Sequence, residues 1–81
     1  MANSNAVKIT HETKSRGGRY VAHIEGENHT GHLDWETGHA TNVRIATHTI
    51  VPPEIGGRGI AALLINRLIE DARKQGFRVV P

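Results

Sequence analysis

Apolar and polar residues alternate at period two over the first fifty residues, then change to a helical period. Val7 and Ile9 predict a short strand over 7–13. Ser15-Arg16-Gly17-Gly18 predicts a tight hairpin turn, with glycine supplying positive φ. A second strand over 19–25 follows, with Tyr20, Ala22 and Ile24 on one face and Arg19, Val21, His23 and Glu25 on the other. After the break at Gly26-Glu27-Asn28, Gly31, Leu33 and Trp35 alternate with His32, Asp34 and Glu36 and predict a third strand. Thr37-Gly38-His39 is a further turn. Residues 42–51 are rich in β-branched side chains and predict a fourth strand, which Pro52-Pro53 ends.

From Gly57 to Gln75 the apolar residues Ile60, Ala61, Leu64, Leu68 and Ala72 recur at helical spacing, flanked by Leu63, Ile65 and Ile69. Asn66, Arg67, Glu70, Asp71, Arg73, Lys74 and Gln75 form the expected wet face, with Glu70 and Lys74 as an i,i+4 pair. The spacing predicts an amphipathic helix of about five turns, closed by Gly76 in a left-handed cap. Residues 77–80 predict a last strand. A strand, a helix and a strand after a loop form a crossover, so this strand is expected parallel to residues 42–51. The predicted class is α+β: an antiparallel β-meander followed by a β-α-β crossover, over residues 7–81, with residues 1–6 as a disordered tail.

Composition narrows the function. The 81 residues allow one domain, and a chain this short buries only about 60% of its unfolded surface. There is no cysteine, which excludes a disulfide framework, thiolate metal ligation and a cysteine nucleophile within the chain. No apolar run approaches the roughly 20 residues of a membrane span, and the polar start Met1-Ala2-Asn3-Ser4-Asn5 carries no signal core, so a cytoplasmic address is expected. Residues 1–50 balance five basic against five acidic side chains; residues 51–81 hold five against three. This excess is a weak field, which argues against a long nucleic acid and suits a small anionic ligand. Homo-oligomerisation stays open.

The unusual segment is Pro52-Pro53-Glu54-Ile55-Gly56-Gly57-Arg58-Gly59-Ile60-Ala61, between a strand and a helix. Its glycines remove side chains where the first helical N–H groups lack partners and where the helix dipole is positive. Such a place holds a phosphate or pyrophosphate, with Arg58 adding a charge-assisted bond. A flexible, glycine-rich helix start is the simpler reading of the same residues. No Gly-Lys-Ser/Thr tripeptide exists for a P-loop. Gly57, Gly59 and Ala62 match the dinucleotide fingerprint only formally, because the preceding residues read as a meander rather than a doubly wound sheet.

The run Ile45-Ala46-Thr47-His48-Thr49-Ile50-Val51 through Ala61, the helix with Ala72-Arg73, then Gly76 and Val79-Val80-Pro81 resemble the GNAT superfamily of N-acetyltransferases, and most of all its smallest single-domain members. The resemblance implies acetyl-CoA as cosubstrate and an amine as acceptor. It implies that the backbone of Ile50 and Val51 pairs with the pantetheine arm, and that Gly56, Gly57, Arg58, Gly59, Ile60 and Ala61 hold the pyrophosphate. The superfamily pattern Gln/Arg-x-x-Gly-x-Gly/Ala falls on Glu54, Gly57 and Gly59; Glu54 departs from it and is expected to point away from the phosphates or to cap the helix. Relatives continue past the Val-Val-Pro strand with a cysteine-bearing stretch and another helix, so the resemblance implies a minimal domain, incomplete at its C-terminus, with its C-terminal helix absent.

Direct transfer from a thioester to an amine needs proximity, a base for the ammonium proton and polarisation of the carbonyl. His48 is the first candidate base, since an imidazole titrates near neutral pH; a locally bonded structural histidine is the alternative. Positions 44, 46, 48 and 50 are expected to share one strand face. Glu54 is a second catalytic candidate. A non-catalytic acyl-CoA-binding or regulatory module is the alternative function. The six histidines raise a metal reading through His29, His32, His39 and Asp34, but solvent-facing histidines are the expectation and no metal is assigned. Trp35 is expected in the core, and Arg67, Arg73 and Arg78 in solvent.

Overall fold

The computed structural model describes residues 6–40 and 42–80. Residues 1–5 of the expected tail 1–6, and the final Pro81, lie outside the described residues; the Ala6 carbonyl accepts a bond from the Glu25 N–H. Five strands, β1 (Val7–Lys14), β2 (Gly17–Ile24), β3 (Thr30–Thr37), β4 (Val43–Ile50) and β5 (Arg78–Val80), form one mixed sheet in the order β1-β2-β3-β4-β5. The first four pair antiparallel in sequence order, and β5 lies parallel to β4. Among the described residues a single α-helix, α1 (Ile60–Gln75), joins β4 to β5 and covers one face of the sheet. The fold is α+β. No described helix is long and apolar enough to cross a membrane.

Period-two alternation explains which face is covered. Tyr20, Ala22 and Ile24 of β2 and Leu33 and Trp35 of β3 are buried, and they meet Ile60, Leu64 and Leu68 of α1 together with Ile55. Removing these apolar surfaces from water drives the two layers together.

Gly17 and Gly18 do not form the turn that their sequence suggested. The two-residue connection is Ser15-Arg16, and both glycines lie in β2, paired with Lys14 and Thr13. Neither has positive φ. Their requirement is room: a Cβ on Gly18 would lie 2.7 Å from Trp35 Cζ2, and one on Gly17 would collide with the Trp35 carbonyl oxygen. The helix also starts later than predicted, at Ile60, because Gly57 and Gly59 hold φ of +75° and +74° and a right-handed helix cannot include them. Gly76 caps it at φ +80°, donating its N–H to Ala72. Glu70 and Lys74 form no ion pair among the described residues; the i,i+4 pair of α1 is Arg67 with Asp71.

Asp71 departs furthest from the sequence pattern. Placed on the wet face by its spacing, it is buried, and its carboxylate accepts a 2.6 Å hydrogen bond from the Tyr20 hydroxyl. Arg67 donates to the same carboxylate at 3.4 Å and to the Ile9 carbonyl at 3.3 Å, so it is not merely solvated either. Burial pushes the Asp71 carboxyl pKa up, but the Tyr20 hydroxyl and the Arg67 charge outweigh it and the net shift is downward. Burial, followed by the bond to Asp71, drives the Tyr20 phenol upward. His11 stacks on Tyr20 with centroids 4.0 Å apart, and its Nε2 accepts a bond from Trp35 Nε1 at 3.1 Å. Trp35 is thus a core residue, as expected. On its other side the Arg44 guanidinium sits between the Trp35 and Phe77 rings, 4.0 and 3.9 Å from their centroids, tying β5 to the sheet.

Tyr20→Phe leaves the buried Asp71 carboxylate without its shortest partner. It should destabilise the protein by about 2 kcal/mol in urea denaturation, and an unchanged midpoint would remove this bond from the account of the fold. His11 supplies a pH dependence. Burial, with the Arg44 charge next, lowers its pKa from the ordinary 6.5, so the fold favours the neutral ring. That contribution is complete above about pH 6.5 and is lost as pH falls through the lowered native value. Melting temperature should fall between pH 7 and pH 5, and His11→Gln, which keeps an acceptor for Trp35, should flatten that slope. Equal slopes in the two proteins would count against this role.

Candidate functional site

The site is built around an irregularity in β4. Asp34 pairs with His48, but the next residue of β3, Trp35, pairs with Ala46, so Thr47 is an extra residue in a β-bulge. Its hydroxyl donates to the Asp34 carbonyl at 3.3 Å. The bulge reverses the side-chain alternation. Arg44 and Ala46 lie on the helix-covered face with Trp35, whereas His48 and Ile50 lie on the open face with Asp34 and His32. Positions 44, 46, 48 and 50 therefore do not share a face, because one inserted residue shifts the two-residue period.

On the open face Asp34 is held by Arg19 through bonds of 2.6 and 3.1 Å. The Arg19 hydrogen bond keeps the Asp34 carboxyl below its usual range, against the effect of burial. His32 approaches the same carboxylate at 4.0 Å. Arg19 and Asp34 belong to a polar cleft of about 470 Å³, lined also by Lys14, Arg16, Glu36 and His48 among others. On the other side of β4 lies an apolar cleft of about 530 Å³, between Ala46–Thr49 and Ile65, Leu68, Ile69 and Val79. Thr47 and His48 line both clefts. The apolar cleft opens where β4 loses its neighbour: β5 pairs only with Val43, Arg44 and Ile45, and the peptides of β4 beyond Ile45 have no strand on that side among the described residues.

At the end of β4 the chain turns through Pro53–Ile55, a single 3₁₀ turn closed by the Gly56 N–H on the Pro53 carbonyl. Ile55 is fully buried and anchors the turn in the core. Gly31 lets the start of α1 approach the sheet, since a Cβ there would lie 3.0 Å from Ile60 Cγ2. The N–H groups of Gly57, Arg58, Gly59, Ile60, Ala61 and Ala62 find no backbone acceptor among the described residues; the first helical bond runs from Leu63 to the Gly59 carbonyl. A Cβ added at Gly57 or Gly59 would meet nothing within 4 Å, so the loop faces open space.

Glu54 neither caps the helix nor lines either cleft. Its carboxylate lies 3.8 Å from His29 Nε2, and Glu27 lies 3.9 Å from the other ring nitrogen. Glu27 also pairs with Arg58 at 3.3 Å. These contacts join the β2–β3 connection to the glycine loop. Of the residues that sequence pointed to, the loop residues Gly56–Ala61 come together beside the end of β4, His48 joins Asp34, and Glu54 is set apart from His48. Ile50 projects its side chain onto the open face, while Val51 packs against the core. The contributions of Thr47, Arg19 and Glu27 were not legible, because each depends on strand register. No cluster of His and carboxylate side chains able to hold a metal exists among the described residues.

The structure has the strand, glycine loop and helix start that the sequence resemblance requires, in one place. No curated protein and no solved structure matches the chain. A family model described as GCN5-related N-acetyl-transferase matches residues 19–81, from β2 to the last residue. With more than three-quarters of its length covered, the chain belongs to the GCN5-related N-acetyltransferase family.

Proposed function

We propose that this protein transfers an acetyl group from acetyl-CoA directly to an amine, with the cosubstrate on the helix side of β4 and the acceptor on the open face. The observation that carries the reading is the bulge: Thr47 and His48 form a wall shared by an apolar cleft and a polar one. The apolar cleft suits the pantetheine arm and the thioester, beside the backbone edge of Ala46–Val51, which has no strand on that side among the described residues. The open N–H groups from Gly57 to Ala62 and the positive end of α1 suit the pyrophosphate, which the sequence resemblance implies for Gly56–Ala61. Arg58 adds charge once it exchanges Glu27 for phosphate.

In the transfer step the amine nitrogen bonds to the thioester carbonyl carbon and the carbon–sulfur bond breaks, releasing CoA. His48 takes the proton that the ammonium must lose before attack. Asp34, across the strand pair, sets a negative charge beside His48 and is itself fixed by Arg19. Glu54 lies 3.8 Å from His29 and outside both clefts, a position that suits bracing the loop rather than touching the reacting atoms. A non-catalytic acyl-CoA-binding module would need the glycine loop and the apolar cleft alone. The polar cleft with His48 and Asp34 favours turnover.

Titration calorimetry with CoA tests the loop. Asp and Asn both tolerate the left-handed backbone of Gly57, so Gly57→Asp and Gly57→Asn separate charge from shape. The aspartate should weaken CoA binding by tenfold or more relative to the asparagine, by repelling phosphate. Equal affinities would put the pyrophosphate elsewhere. For turnover, CoA release from acetyl-CoA is followed across a panel of amines. His48→Gln should lower kcat by about a hundredfold while the affinity for CoA stays unchanged. Undiminished turnover would remove His48 as the base, and absence of CoA release with every amine, despite CoA binding, would favour the binding module.

A further inference from the structure

Strand β1 lies outside the residues matched by the family, and it forms one edge of the sheet. The Glu25 N–H bonds to the Ala6 carbonyl, which sets the parity of the hairpin. With the observed register, Lys8, Thr10, Glu12 and Lys14 turn their peptide groups toward β2, and Val7, Ile9, His11 and Thr13 turn theirs outward. Among the described residues these outward groups have no backbone partner. Arg67 contacts one of them, the Ile9 carbonyl, at 3.3 Å. A carbonyl oxygen has two lone pairs, so an in-plane donor remains possible there.

We propose that this edge pairs antiparallel with β1 of a second copy of the chain, about a two-fold axis at Thr10. The outward parity restricts central registers to those centred on Ile9, Thr10 or His11. Centring on Ile9 places each Lys8 opposite Thr10, and centring on His11 places Lys8 opposite Lys14, a like-charge clash. Centring on Thr10 sets Lys8 opposite Glu12 on both sides of the axis and Thr10 opposite itself, and of the three it alone matches opposite charges. Lys8 and Glu12 are exposed and lie on the open face, beside His23 and Arg19. On the covered face, half-buried Val7 and Ile9 meet Thr13 and His11 of the second copy, which covers their remaining apolar surface.

The pairing supplies about eight backbone hydrogen bonds. It adds only one strand to each sheet, so its buried area falls below the roughly 1,200–2,000 Å² of tight complexes and the association is weak. A two-fold perpendicular to the sheet keeps both helices on one face. It also leaves β4 and the apolar cleft of each copy toward the outer ends of a ten-stranded sheet.

Sedimentation velocity of the 81-residue chain, from about 5 to about 500 μM, reads the monomer–dimer equilibrium. Lys8→Glu and Glu12→Lys should each raise the dimer Kd about tenfold, because each sets like charges opposite one another twice. The double variant should return the Kd to the parent value. Far-UV circular dichroism and melting of each variant separate lost pairing from lost folding. A chain that is monomeric throughout the range, or a dimer indifferent to all three variants, overturns the proposal.

Discussion

A carboxylate between a sheet and the helix that covers it is costly unless its oxygens are bonded, and Asp71 meets that condition in one arrangement. Tyr20 reaches it from β2 at 2.6 Å, and Arg67 approaches from one turn away on α1. Leu64 and Leu68 would tolerate sliding of the helix, because apolar contact is non-directional. A short hydrogen bond does not. It selects one rotation and one height of α1 over the sheet, and so sets where Ile60 enters the core and where the glycine loop faces. The loop geometry therefore depends on a contact at the far end of the helix.

The second constraint is local to β4. A regular strand would direct Arg44, Ala46 and His48 to the same face. The extra residue at Thr47 lets Arg44 stack between aromatic rings under the helix while His48 faces the opposite side. One irregularity thus serves packing upstream and chemistry downstream. Near the same point the described pairing of β4 with β5 ends, at Ile45 and Val80.

Much of this architecture was legible in the sequence. Tyr20, Ala22, Ile24, Leu33 and Trp35 alternate strictly, and strict alternation marks a half-covered antiparallel strand. Pro52-Pro53, the glycines and Gly76 mark the helix limits to within a few residues. The failures have a common cause. The burial of Asp71, the room needed at Gly17 and Gly18, and the face of His48 are all decided by a residue distant in sequence: Tyr20, Trp35 and Asp34 respectively. Local periodicity carries no record of such partners. The glycine loop was legible because its chemistry lies within one short segment, whereas the pairing of Arg58 with Glu27 crosses thirty residues.

The surroundings of Trp35 give the protein an intrinsic optical probe. It is the only tryptophan of the chain, so its emission is not confused with that of another. Its indole N–H ends on a titratable ring of β1, and its π face carries a guanidinium that also touches Phe77, beside β5. Protonation of His11, detachment of the edge hairpin and loosening of the last strand each change what that indole touches. A single fluorescence channel therefore senses both edges of the sheet from its centre, without any label.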